Sequence, residues 1–138
     1  MTYSLKNQVS EEHQYMLELC NQLEIQLNNI SHEDGYYQAQ QIIEELHYLI
    51  INIHYPKDKL LTDEINASGI NSQWIRLLLD FQYPASLESV NHAVLTINCV
   101  SAGSIVSRDL IISSAQKMIE QLRIIINFEE QVCLPCAA

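Results

Sequence analysis

Four side chains able to hold a metal ion or move a proton interrupt the apolar stripes of this 138-residue chain: His13, His54, His92 and Glu129. Helical spacing turns each of them inward. His13 lies four residues after Val9 and three before Met16; His54 lies four after Ile50. His92 lies three before Leu95 and seven before Cys99, and Glu129 lies four after Ile125 and seven after Leu122. Residues at these intervals share one face of an α-helix. A buried carboxylate is costly unless it is paired or binds a metal, which makes Glu129 the most informative of the four. The stretch "HYPKDKLL" (54–61) adds Asp58 one turn beyond His54. That spacing lets one helix offer an imidazole and a carboxylate to a single ion. Pro56 lies between them, where proline ends or bends a helix, so Asp58 joins the set only if the helix continues.

The elements that must position these groups are helical. There are only three glycines and three prolines, too few for the frequent turns of an all-β fold. The first helix spans about 6–29, followed by the loop "NNISHEDG". The second spans 36–54 and ends or bends at Pro56. "DEINASGINSQ" reads as loop and "WIRLLLDF" as a short apolar helical turn stopped by "YPAS". Ser86 is a fair N-cap for a third helix over 87–100. "SAGS" is the next break, and a fourth helix covers 108–133, with Pro135 beyond its end. Four amphipathic segments in one domain (1–138) predict an all-α, antiparallel up-down four-helix bundle. In that topology the start of the first helix, the end of the second, the start of the third and the end of the fourth meet at one end. His13, His54, His92 and Glu129 then fall in one layer, a coincidence that choosing them by face did not require.

With those residues in place, the chain resembles the hemerythrin-like (HHE cation-binding) family. Its members are four-helix bundles with a non-haem di-iron site. Their pattern is a histidine in the first helix, His-x-x-x-Glu in the second, a histidine in the third, and a second His-x-x-x-Glu in the fourth, often running on as Glu-Glu-x-x-Leu-Phe-Pro. "HYPKDKLL" is similar to the second-helix motif, with aspartate for glutamate, and "EEQVCLP" (129–135) to the fourth-helix ending. His13 and His92 match the lone histidines. The resemblance implies a metal set of His13, His54, Asp58, His92 and Glu129, iron as cofactor in a mono- or dinuclear site, and dioxygen or nitric oxide as small partners. The chain departs from the pattern at Ile125, which stands where the fourth-helix histidine belongs. Imidazole and carboxylate donors suit iron, manganese or zinc. The expected role is a non-enzymatic metal protein that binds, stores or senses; the alternative is a metal-free bundle serving as an interaction or regulatory module.

Composition narrows the partners. A formal net charge of −10 repels phosphate backbones and anionic membrane surfaces, so neither nucleic acid nor membrane is expected. No apolar run is long enough to span a bilayer. "MTYSLKNQVSEEHQ" has no signal-peptide core, so the expected location is cytoplasmic and the four cysteines are expected to be reduced thiols. Cys133 and Cys136 form a CxxC pair that follows a helix, where the dipole disfavours a thiolate. One heptad deeper than the histidines, Cys20, His47 and Cys99 make a weaker candidate for a zinc layer, with Glu44 one turn from His47.

Overall fold

The first helix, α1 (Leu5–Asn28), starts where Ser4 accepts a hydrogen bond from the Asn7 amide at 3.2 Å, an ordinary N-cap. The computed structural model describes residues 4–30, 33–69, 73, 77–101 and 108–137, and among these no strand occurs. The second rod begins as α2 (Glu33–Tyr48), widens into a π-helical segment (Leu49–His54) and continues as α3 (Tyr55–Ala67). The third rod opens with a π-helical segment (Leu78–Gln82) and runs on as α4 (Tyr83–Ser101). The fourth is α5 (Arg108–Phe128), followed by a π-helical segment (Glu129–Cys133) and a 3₁₀ turn (Leu134–Cys136). The protein is therefore an all-α four-helix bundle. Cross-rod pairings fit the antiparallel order: Tyr15 meets Glu45 and Glu12 meets His54, while Ser10 meets Glu130 and Asn21 meets Arg123.

All three prolines sit inside helical rods, each two residues beyond a π-helical segment. Tyr55, Tyr83 and Leu134 are the residues preceding Pro56, Pro84 and Pro135, and each donates its amide to the carbonyl five residues back: Ile50, Leu78 and Glu129. A proline ring collides with the carbonyl four residues earlier. A turn wound five residues wide moves that carbonyl aside, so the chain stays helical. This corrects the expected stops. The second helix does not end near Pro56 but runs to Ala67, taking in much of the stretch read as loop. It stops at Gly69, whose φ of +77° suits a glycine just past a helix end. "YPAS" lies within the third rod, and Ser86 is an interior residue bonded to the Tyr83 carbonyl rather than an N-cap. Residues 31–32, 70–72, 74–76 and 102–107, which include parts of the expected loops and of "WIRLLLDF", lie outside the described residues.

The core has two parts. The larger runs along all four rods and includes Met16, Leu23, Leu46, Ile97, Met118 and Leu122. A small cluster of Val9, Leu61, Ile65 and Leu134 closes one end. On α1, Val9 belongs to the small cluster and Met16 to the large one, and His13 falls between them. The same order holds for Ile50, His54–Asp58 and Leu61 on the second rod. A polar layer is thus sealed between two apolar ones.

Candidate metal centre

His13, His54, Asp58 and Glu129 form that layer. All four are buried, and one donor atom from each lies within 4.8 Å of the other three. His13 Nε2 is 3.0 Å from Glu129 Oε2, and His54 Nε2 is 3.2 Å from Asp58 Oδ2. The two imidazoles meet edge to face, centroids 4.8 Å apart. Two of the π-helical segments hold the acids and the second histidine. The first ends on His54 and carries the rod through Pro56, so Asp58 stays one turn away on the same face. The last begins on Glu129.

The outward nitrogens are also fixed. His13 Nδ1 lies 2.8 Å from Glu130, which also accepts from the Ser10 hydroxyl, and His54 Nδ1 lies 2.8 Å from Glu12, which also accepts from Lys57. Each ring thus presents Nε2 to the centre and anchors Nδ1 on a carboxylate outside it, as metal-binding histidines almost always do. Glu12 and Glu130 were not singled out by the sequence reading. Each is the immediate neighbour of a chosen residue, in "EEHQ" and "EEQV", and the doubled glutamates are the signal that could have found them.

The protons follow from the same geometry. Burial by itself would lower the His54 pKa, but the contacts with Asp58 and Glu12 overcome it and raise it to about 10. Burial, and then the charge of Asp58, pushes Glu129 well above the carboxylate range. Burial and then the charge of His54 lower His13. Asp58 stays low: burial works against its charge, and the groups around it, His54 first, together outweigh burial. The consistent arrangement has a protonated Glu129 donating to His13 Nε2, neutral His13 donating through Nδ1 to Glu130, and protonated His54 facing Asp58 and Glu12.

The centre fits a cation. Asp58 Oδ2 is buried and lies close to His54 Nε2, yet no donor is aligned on it as a hydrogen bond. His54, Asp58, Tyr83, Ile125 and Glu129 border a cavity of ≈ 20 Å³, room for one water or one ion. With metal–ligand bonds of about 2.0–2.2 Å, donors on one ion lie at most about 4.4 Å apart, so this set needs only a small contraction. The donors are two imidazoles and two carboxylates, which suit iron, manganese or zinc.

His92 is not part of this layer. It is exposed, on a surface groove between α4 and α5 with Glu88 and Lys117. The inward face of α4 instead carries Ser86, Ser89, Val90, Ala93, Thr96 and Ile97, whereas Leu95 is 64% exposed. The three hydroxyls bond back to carbonyls of their own helix and so can be buried cheaply, which turns Leu95 and His92 outward. Nor do Cys20, His47 and Cys99 converge into a donor group among the described residues. All four cysteines are free thiols. Burial, with the acidic side chains nearby, pushes the Cys133 thiol up to about 12, so it stays protonated. Ile125 is 5% exposed and borders the centre, a hydrocarbon wall four residues before Glu129. No helix among the described residues is long and apolar enough to cross a membrane. No family model, curated protein or solved structure matches the chain.

Proposed function

We propose that this protein is a hemerythrin-like, non-enzymatic metal protein of the cytoplasm that holds one non-haem iron ion through His13, His54, Asp58 and Glu129. Its role is to bind, store or sense iron, dioxygen or nitric oxide. The observation that carries the reading is the convergence of four buried donor atoms within 4.8 Å, in a layer sealed above and below by apolar side chains. When bound, iron would supply a Lewis-acidic, redox-active centre open to a small ligand. Glu12 and Glu130 would orient the imidazoles, and Ile125 would keep the adjoining space apolar. Because Ile125 offers no donor, the site is proposed to hold one ion tightly rather than two.

A specific observation favours a second reading, the metal-free bundle acting as an interaction or regulatory module. Each ring nitrogen of His13 and His54 already faces a carboxylate, so with its protons in place the layer is largely paired without a cation. Protein purified without chelator and then reconstituted with iron separates the two. Elemental analysis giving about one iron per chain in the wild type, and none in Asp58→Ala, supports the first reading. No iron at any excess leaves the second.

A further inference from the structure

We infer that Tyr83 is a fifth ligand of this centre, its phenolate oxygen binding ferric iron beside Asp58 and Glu129. The inference rests on the metal-binding reading above and adds a residue that the spacing of the histidines does not pick out. Tyr83 is 4% exposed, and its hydroxyl is buried without a hydrogen-bond partner. Buried phenols nearly always find one. Asp58 Oδ2 keeps its ion pair with His54 Nε2 but has no aligned hydrogen-bond donor, and both residues border the same small cavity. A buried, unpartnered hydroxyl and a carboxylate oxygen with no aligned donor, on two residues that border one space of ≈ 20 Å³, point to a site for a single atom-sized guest.

The hydroxyl is placed by means other than a hydrogen bond. The Tyr83 amide closes the π-helical segment before Pro84 by donating to the Leu78 carbonyl. Its ring packs edge to face on Tyr55, centroids 5.1 Å apart and planes at 76°. Backbone and ring therefore fix the oxygen near the carboxylates of Asp58 and Glu129. Burial drives the phenol's pKa well up, and the neighbouring acidic side chains add to it, so the proton stays on in the absence of a cation. A bound cation inverts that logic, since a phenolate beside a trivalent ion is stabilised by it. Coordination exchanges the O–H bond for an oxygen–iron bond and releases one proton to solvent, leaving a set of two nitrogens and three oxygens. Hard oxygen donors favour the ferric over the ferrous state.

The test uses full-length wild type, Tyr83→Phe and the surface control Tyr37→Phe. Each is loaded anaerobically with ferrous iron and oxidised by ferricyanide, which takes one electron per ion. After desalting, iron content and visible absorption are measured. The expected result is a phenolate-to-iron charge-transfer band in the wild type and Tyr37→Phe. In Tyr83→Phe the band falls to baseline while iron is retained. Phenylalanine removes only an oxygen that has no aligned hydrogen bond, so the variant should fold, and circular dichroism checks this. Wild-type iron without the band, or a band that survives in Tyr83→Phe, overturns the tyrosine assignment and leaves the metal-binding reading standing. No iron in the wild type overturns both.

Discussion

His54 and Asp58 face each other at 3.2 Å across one helical turn, although a proline lies between them. The turn before Pro56 is π-helical, and that extra width lets the chain pass the ring without leaving the helix. π-Helical turns of this kind occur frequently at functional sites. Here one precedes each proline, and between them the three deliver His54, Tyr83 and Glu129.

The first prediction follows from that geometry. Pro56→Ala restores an amide donor and removes the ring, so the preceding turn can tighten to ordinary α-helix. Taking one residue out of a wide turn rotates everything beyond it by roughly 100°. Asp58 should leave the centre, and iron bound per chain should fall toward zero while circular dichroism shows no loss of helix. Unchanged iron loading would mean that the wide turn is held by packing and not by the proline.

Glu129→Gln separates the metal reading from the metal-free one. In the metal-free state Glu129 is protonated and donates to His13, and a glutamine amide can make the same bond. Thermal stability in chelator should be unchanged near neutral pH and higher than wild type in alkaline solution. Iron affinity should drop more than about tenfold, since a coordinating carboxylate matters at least as much as the outer partners whose loss costs about 10–100-fold.

Ile125→His should act in the opposite direction. Ile125 borders the cavity, and an imidazole there adds a nitrogen donor at the position where the resemblance calls for one. Tighter iron binding than wild type, or a second iron per chain, is expected in titrations followed by elemental analysis. A variant with unchanged affinity would show that residue 125 cannot reach the ion.

Stability should depend on pH in a defined sense. His54 is raised from 6.5 to about 10, so its contribution is complete below 6.5 and is lost as pH rises through about 10. Glu129, raised above 4.5, acts in the same direction, because its neutral form is favoured in the fold. Asp58 and Glu12 are lowered from 3.8 and 4.5, so their contributions are present above those values and are lost as pH falls below them. Melting temperature in chelator should therefore be highest in mildly acidic solution and decline steadily toward pH 10. Ferrous iron must displace the protons of His54 Nε2 and Glu129, so its affinity should rise by about a hundredfold per pH unit while both are protonated. A flat affinity profile would show that those protons are not on the ligands.

What the sequence determined by itself was the helical class and three of the inward polar positions. Val9, His13 and Met16 on one rod, and Ile50 with His54 on another, repeat at helical intervals, and that periodicity is local chemistry that any observer of the chain can read. Tertiary structure decided the rest. Whether a rod continues through Pro56 depends on how the turn before it is wound; the proline marks the place, but by residue type alone it reads equally as a stop. Which face of α4 turns inward depended on Ser86, Ser89 and Thr96 satisfying their hydroxyls on their own backbone, so a hydropathy pattern led by Leu95 pointed His92 the wrong way. Tyr83 reaches the centre only because a separate rod, more than twenty residues from Asp58 in the chain, packs across it. Periodicity reports a residue's own helix; which donors share a cavity is fixed by how the helices meet.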